Sequence, residues 1–423
     1  MARFHQSFAL AVALAAVVPH PGGAQQPAAG ASRPSDEQRC TGQAGVPPDM
    51  QVAACTALIG SGRHSRQNLA ILHSNRGIAY VKAGDYDRAI ADFDAALRSN
   101  PNHVRAHINR GNANFAKRDY DRAIADFGQA IRIEPRNATV VMSRATAFEA
   151  KGDFARAIAD YDRALKLEPN SAAALTNRGL AWRRSGNLDR AIADFDQVIK
   201  LTPRDTAAYN NRAIALADKR DFDRAAADYE TAIKLDPNYA PTYLNRGLLW
   251  QSRKDYDRAL GDFDKAVRLS PDSASAHNAR GLALDAKGEF DPALAELDRA
   301  IALEPNNANY YDSRGSIWRN RGRFDRAIED YDKAIALAPG FAFAFYNRSQ
   351  AHYLAGRFTE ALTDANKATV LHENSAAALS LRGLIQEKLG ARDAAIADLR
   401  RASALDPSLP QPIDALLRLG AAR

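Results

Sequence analysis

Residues 206–239 read TAAYNNRAIALADKRDFDRAAADYETAIKLDPNY. Apolar residues recur at spacings of three and four on both sides of a break at Arg220-Asp221. Because this period places them on one face of a helix, the pattern predicts two amphipathic α-helices rather than strands. Pro237 ends the second helix, since proline lacks an N–H and disfavours helical geometry in the residue before it.

The same unit recurs every 34 residues from Ala70 to Leu409, over 340 of the 423 residues. One position holds alanine in every copy, and a second holds only small residues, which let two helix backbones approach closely. A third position holds nine of the 19 prolines, and Glu373 occupies the one missing place. The three sets are Ala89, Ala123, Ala157, Ala191, Ala225, Ala259, Ala293, Ala327, Ala361 and Ala395; Gly77, Gly111, Ala145, Gly179, Ala213, Gly247, Gly281, Gly315, Ser349 and Gly383; and Pro101, Pro135, Pro169, Pro203, Pro237, Pro271, Pro305, Pro339 and Pro407.

The unit at 240–273 resembles a tetratricopeptide repeat, because it combines the family's residue types at the family's spacing: Tyr243, Arg246, Gly247, Trp250, Ala259, Phe263, Ala266 and Pro271. The resemblance implies an all-α fold, an α-solenoid in which antiparallel helix pairs stack into a right-handed superhelix. It also implies a concave groove lined mainly by the first helix of each repeat. We expect ten repeats, at 70–103, 104–137, 138–171, 172–205, 206–239, 240–273, 274–307, 308–341, 342–375 and 376–409.

The N-terminal residues have the features of an export signal. Arg3 gives a short positive start, an apolar run extends from Phe8 to Val18, and Gly22-Gly23-Ala24 provides small residues for cleavage. The run is too short to span a bilayer. We therefore expect a signal peptide at 1–24, a flexible leader at 25–39 and a periplasmic or secreted location; the alternative is a buried N-terminal helix.

Export would give the only two cysteines a structural role. Cys40 and Cys55 would meet an oxidising compartment, where the 15 residues between them suit one disulfide. We expect this disulfide within a degenerate capping repeat at 40–69, whose second helix would run from Asp49 to Ile59. At the other end, a C-terminal cap at 410–423 would contain a short helix over Ile413–Leu419, because solenoids need covered ends.

The repeats depart from the common family pattern immediately before the small residue, where every copy has arginine instead of an apolar residue. A position in the second helix is acidic in every copy. Since a guanidinium binds a carboxylate through two hydrogen bonds, we predict ten inter-helix ion pairs; the alternative is that the arginines reach a ligand. The pairs are Arg76–Asp92, Arg110–Asp126, Arg144–Asp160, Arg178–Asp194, Arg212–Asp228, Arg246–Asp262, Arg280–Glu296, Arg314–Asp330, Arg348–Asp364 and Arg382–Asp398.

The groove implied by the resemblance would be rich in amides. An amide both donates and accepts hydrogen bonds, which suits the backbone of an extended peptide; the alternative is that these asparagines bond neighbouring helices. The family's lysine-based grip on a C-terminal carboxylate is disfavoured, since the corresponding position carries no lysine. The candidate partner-binding residues are Asn109, Asn177, Arg183, Arg184, Asn210, Asn211, Asn245, Asn278, Asp312, Arg319, Tyr346 and Asn347.

The formal net charge is +7, but Lys and Arg alternate with Asp and Glu. This favours a solvated mixed surface over a nucleic-acid track. No catalytic set, cofactor motif or metal-spaced cluster stands out. The sequence thus predicts a non-enzymatic scaffold or adaptor in the cell envelope that binds a protein or peptide. The alternatives are a binder of an anionic envelope polymer, glycan or lipid headgroup, and an accessory subunit of a separate enzyme. The oligomeric state stays open.

Overall fold

The structure, a computed structural model, describes residues 35–42 and 45–421. The expected signal peptide, and the leader up to residue 34, lie outside these residues. The described part contains helices and no strand, and it forms two compact units that divide after Arg136. The helices of the first unit are α1 (Asp36–Cys40), α2 (Pro48–Gly60), α3 (Arg66–Lys82), α4 (Tyr86–Ser99), α5 (Val104–Ala116) and α6 (Tyr120–Ile133).

The second unit continues the alternation of 13-residue first helices and 14-residue second helices and closes with one shorter helix. Its helices are α7 (Ala138–Ala150), α8 (Phe154–Leu167), α9 (Ala172–Arg184), α10 (Leu188–Leu201), α11 (Thr206–Asp218), α12 (Phe222–Leu235), α13 (Ala240–Ser252), α14 (Tyr256–Leu269), α15 (Ala274–Ala286), α16 (Phe290–Leu303), α17 (Ala308–Asn320), α18 (Phe324–Leu337), α19 (Ala342–Leu354), α20 (Phe358–Leu371), α21 (Ala376–Lys388), α22 (Arg392–Leu405) and α23 (Pro410–Arg418). None of the helices in the described ranges is both long and apolar enough to cross a bilayer.

The helix bounds follow from local chemistry. Asp153 and Asp255 each precede a second helix and accept a hydrogen bond from the backbone N–H three residues later, an N-cap that contributes about 1 kcal/mol. Ser65 caps α3 in the same way, so this helix begins four residues before the expected start at Ala70. The C-terminal helix likewise begins at Pro410 rather than Ile413, since proline is well suited to the first helical turn.

The two helices of a pair approach closely at the small-residue position. In α13, a Cβ added to Gly247 would lie 2.5 Å from Cε1 of Phe263 in α14. Phe263 is fully buried, and so is Ala259, which stands at the position that holds alanine in every repeat. The glycine therefore leaves room for an aromatic ring between the two backbones, which confirms the reason for small residues at this position.

The disulfide between Cys40 and Cys55 is present and joins α1 to α2. Both cysteines are buried with Ala54, and Leu72 of α3 packs against them. The buried Gln51 donates hydrogen bonds to the carbonyl of Cys40 at 3.1 Å and to that of Asn75 at 3.4 Å. The disulfide thus joins two helices that pack against α3.

All ten predicted arginine–carboxylate pairs form. In the Arg212–Asp228 pair, Nε and Nη2 donate to the two carboxylate oxygens at 2.7 Å, and the side chains are 20% and 10% exposed. Asp228 raises the pKa of Arg212, through its hydrogen bond above all. In the Arg280–Glu296 pair only Nη2 of the arginine binds the glutamate, whose Oε2 instead meets Nδ1 of His277 at 2.7 Å. The buried Nε of Arg280 has no hydrogen-bond partner among the described residues.

These arginines have a second partner that was not predicted from the sequence. Nη1 of Arg212 donates to Asp196, in the preceding second helix, at 2.6 Å. Equivalent bonds within the units join Arg110 to Asp94, Arg178 to Asp162, Arg280 to Asp264, Arg314 to Asp298 and Arg348 to Asp332. Each of these arginines therefore connects its own second helix to the one before it, as well as the two helices of its own pair.

Candidate binding surface

The first helices of the second unit lie side by side. Each of α7, α9, α11, α13, α15, α17 and α19 contacts the next first helix, whereas the second helices make no comparable contact with each other. Because the first helices are closer together than the second helices, the stack of helix pairs in this unit curves, and the first helices form its inner side. We call it the first-helix surface, and we number its residues by their place in the expected repeat.

Polar side chains join neighbouring first helices near their C-terminal ends, at the twelfth and thirteenth positions. Arg184 donates to the buried Glu149 at 2.6 Å, and Arg183 donates to Asp218 at 3.1 Å. Tyr161 also donates to Glu149, at 3.1 Å. Burial still raises the pKa of Glu149, against the lowering effect of these two partners. Arg183 and Arg184 were predicted as partner-binding residues, yet both are already engaged by carboxylates of the chain itself.

A second row of contacts crosses the middle of the first helices, at the fifth and sixth positions. Asn245 donates to the buried Asn210 at 3.0 Å. Asn347 donates to Asp312 at 2.9 Å and accepts from Arg319 at 3.1 Å. For these predicted residues, the alternative interpretation is thus the one observed: they bond neighbouring helices.

Other predicted asparagines differ in their surroundings. Asn177 and Asn211 are partly exposed, and their side chains make no hydrogen bond with any described residue. Asn278 is partly exposed too, but its Oδ1 atom is buried and has no hydrogen-bond partner among the described residues. In the first unit, Asn109 is partly exposed and likewise unbonded within the described ranges. Their role in partner binding stays a prediction.

The aromatic candidate Tyr346 belongs partly to the core. It is partly buried against Phe345, Ala368 and Ala378, and burial raises the pKa of its hydroxyl. The nearby Phe343 is 46% exposed and meets the rings of Phe341 and His372 edge-on. Tyr346 therefore offers a partner less of its surface than Phe343 does.

The carboxyl group of Asp312, on the first-helix surface, makes the stability of the folded protein depend on pH. Burial raises the pKa of Asp312 to about 6, although Asn347 and Arg319 act in the opposite direction. Since the pKa in the unfolded chain is about 3.9, the folded state holds a proton that the unfolded state releases between about pH 4 and 6. Stability should therefore fall as the pH rises through this window.

Asp312→Asn should remove the free-energy cost of ionising a buried carboxyl group. The asparagine can still accept a hydrogen bond from Asn347. We expect the variant to be more stable than the parent at pH 7 by roughly 1–3 kcal/mol, with the difference shrinking towards pH 4. Urea unfolding at several pH values measures it, and Asp325→Asn, at a carboxylate that is 78% exposed, is the control. A difference in stability between the variant and the parent that did not change with pH would contradict the raised pKa of Asp312.

Comparison with known proteins places the chain in a family. A tetratricopeptide repeat model matches residues 75–138, 142–206, 278–341, 314–374 and 346–410, which together span more than half of the chain. The chain belongs to the tetratricopeptide repeat family. A second tetratricopeptide repeat model matches residues 211–284. Proteins of this family are typically scaffolds for protein–protein interaction and are generally not enzymes.

Solved structures agree with the fold of this tetratricopeptide repeat protein. Yeast Tom70 is 18% identical, with 89% of this chain and 92% of that chain covered and a TM-score of 0.51. The structure of the Cut9-Hcn1 hetero-tetramer of APC/C is 14% identical, with 88% and 93% covered and a TM-score of 0.52. At these identities the likeness shows the all-α helix-pair fold alone. The curated proteins contain no match.

Proposed function

We propose that this tetratricopeptide repeat protein is an adaptor or scaffold of the cell envelope, and that its first-helix surface binds an extended segment of a protein partner. The observation that carries the proposal is the pair of free amides on adjacent first helices, Asn177 on α9 and Asn211 on α11. Each amide can donate to a backbone carbonyl and accept from a backbone N–H. Two such groups in register match an extended chain, whose backbone groups repeat along its length.

Apolar side chains beside the free amides support the same partner. Leu180 and Ile214, three residues after Asn177 and Asn211, are partly exposed and pack against a core cluster that includes Phe195 and Leu216. The arginines of the same helices are all paired with carboxylates of the chain. Arg183 pairs with Asp218, Arg184 with Glu149, and Arg178 and Arg212 with Asp194 and Asp228. The groups left to a partner in α9 and α11 are therefore amides and apolar side chains, so the segment should be uncharged at this place.

An envelope location rests on two features. The Cys40–Cys55 disulfide is of the kind that persists in oxidising compartments. The apolar run from Phe8 to Val18 after Arg3 is of the kind that directs export. Fractionation of cells that express the tagged full-length chain, followed by thiol labelling without reductant, tests the location. Cytoplasmic protein with two reactive thiols would contradict it.

The binding proposal is tested with peptides selected on the parent protein from a library of unstructured sequences. Asn177→Ala combined with Asn211→Ala should weaken binding of the selected peptides about tenfold or more, because two hydrogen bonds of about 1 kcal/mol each are lost. The control is Asn170→Ala with Asn306→Ala, which removes two exposed amides from the loops after the second helices. Equal affinity in the two double variants would move the site away from α9 and α11.

A further inference from the structure

The second helices face the outer side of the curve in the second unit, and their acidic residues are mostly occupied. In α8, α10 and α14, Asp162, Asp196 and Asp264 accept from arginines of the following first helices at 2.6, 2.6 and 3.0 Å. At the starts of α12 and α14, Asp223 and Asp257 pair with Arg253 and Lys287 at 3.2 and 2.7 Å. Most carboxylates of these helices are therefore already paired, either within their own repeat or with the next one.

In the part of the chain that the structure describes, the carboxylate pairs leave the cations at one repeated position of the second helices unpaired. The last turns of four consecutive second helices each carry one exposed cation at the same position: Lys166, Lys200, Lys234 and Arg268. None of the four forms an ion pair with a residue in the described ranges. We call them the cationic strip. The exposed Glu230 of α12 is directed at Arg246 instead, since the pKa of Arg246 is raised mainly by its hydrogen bond to Asp262 and to a smaller extent by the charge of Glu230.

Stabilisation of helix ends does not account for the strip. A cation in the last turn stabilises a helix by about 0.3–1 kcal/mol, so each of the four has some local effect. Yet α16, α18, α20 and α22 end with the same backbone bond, and they carry Ala302, Ala336, Val370 and Ala404 at this position. Within the second unit, this position thus carries a cation only in α8, α10, α12 and α14, so a cation is not required by every helix end. In the first unit, α4 and α6 carry Arg98 and Arg132 at the same position.

We propose that the cationic strip binds a flexible linear polyanion whose charges are phosphates or carboxylates. A flexible chain can follow one cation per helix around the outer side of a curve, whereas a flat lipid surface would meet only part of it. Two turns before each cation stands an exposed small residue, namely Ala159, Ala193, Ala227 and Gly261. These positions therefore offer no aromatic platform on which nucleic-acid bases could stack. Three of the four cations are lysines, whose compact charge suits ion pairing without a fixed orientation.

The test is binding of the full-length protein to two defined polymers, polyphosphate and polygalacturonate, over a range of salt concentrations. The strip variant carries Lys166→Gln, Lys200→Gln, Lys234→Gln and Arg268→Gln. The control variant removes the same charge from exposed positions outside the strip, through Arg323→Gln, Lys333→Gln, Lys367→Gln and Lys388→Gln. Circular dichroism establishes that both variants are folded.

The strip variant should bind at least about tenfold more weakly at low salt, and the slope of log affinity against log salt should shrink by about 0.7 per charge removed. The control variant should keep the parent's affinity and slope. Binding of one polymer only would assign the charge as phosphate or carboxylate. Absence of binding by the parent, or equal losses in both variants, would overturn the proposal. So would strip-dependent binding to phosphatidylglycerol vesicles without polymer binding, which would indicate a membrane instead.

Discussion

Arg212→Leu should lower the free energy of unfolding by about 3–5 kcal/mol, because it leaves the largely buried Asp228 carboxylate without its partner. The double variant Arg212→Leu with Asp228→Leu should recover most of that loss, since two apolar side chains can replace a buried ion pair at little cost. Urea unfolding of the full-length protein, followed by circular dichroism, measures both. Equal losses in the single and double variants would contradict a buried pair.

Arg246 provides a matched control for the inter-repeat bond. Its Nε and Nη2 bind Asp262 at 2.8 and 2.7 Å, as in the Arg212 pair, but it makes no hydrogen bond to Glu230 of the preceding second helix. Arg212, in contrast, also binds Asp196, which is 39% exposed. Arg246→Leu should therefore cost slightly less than Arg212→Leu, by about 0.2–1 kcal/mol, the usual contribution of an exposed ion pair.

The arginine pairs also show how far a repetitive sequence can be interpreted. The partner within a repeat was predictable, because Arg212 and Asp228 recur together in every copy as an arginine and an acid. Asp196 was harder to assign, because its contact depends on how one helix pair stacks on the next. The signal was present: an acid stands 16 residues before Arg212, as it does before Arg178. Periodicity gives positions within a unit, and the packing of successive units decides which positions meet.

The asparagines illustrate the same limit at the candidate site. Asn245 and Asn347 bond the residue 35 positions earlier, which is Asn210 in one case and Asp312 in the other. The residues 35 positions before Asn177 and Asn211 are Met142 and Thr176. A methionine cannot accept a strong hydrogen bond, and Thr176 makes none with Asn211. One repeating residue type is thus structural in two copies and free in two others, and its neighbour decides which.

Gly247→Leu should lower the free energy of unfolding by about 3 kcal/mol. The added Cβ would meet the buried ring of Phe263 at 2.5 Å, and neither the ring nor the two helix backbones can move without opening the pair. Alanine should be tolerated better. Ala145 and Ala213 occupy this position in other copies, where the buried Tyr161 and Tyr229 stand at the position of Phe263.

Gly261 is the matched control, because it lies in α14 of the same pair and a Cβ added there would meet nothing within 4 Å. Gly261→Leu should therefore stabilise the protein by about 0.5–1 kcal/mol, the gain in helix propensity over glycine. The two leucine variants have the same composition, so the difference between their urea unfolding midpoints isolates the close approach of the helices. If Gly247→Leu proved as stable as Gly261→Leu, the pair could separate freely, and the small residue would not be what brings α13 and α14 together.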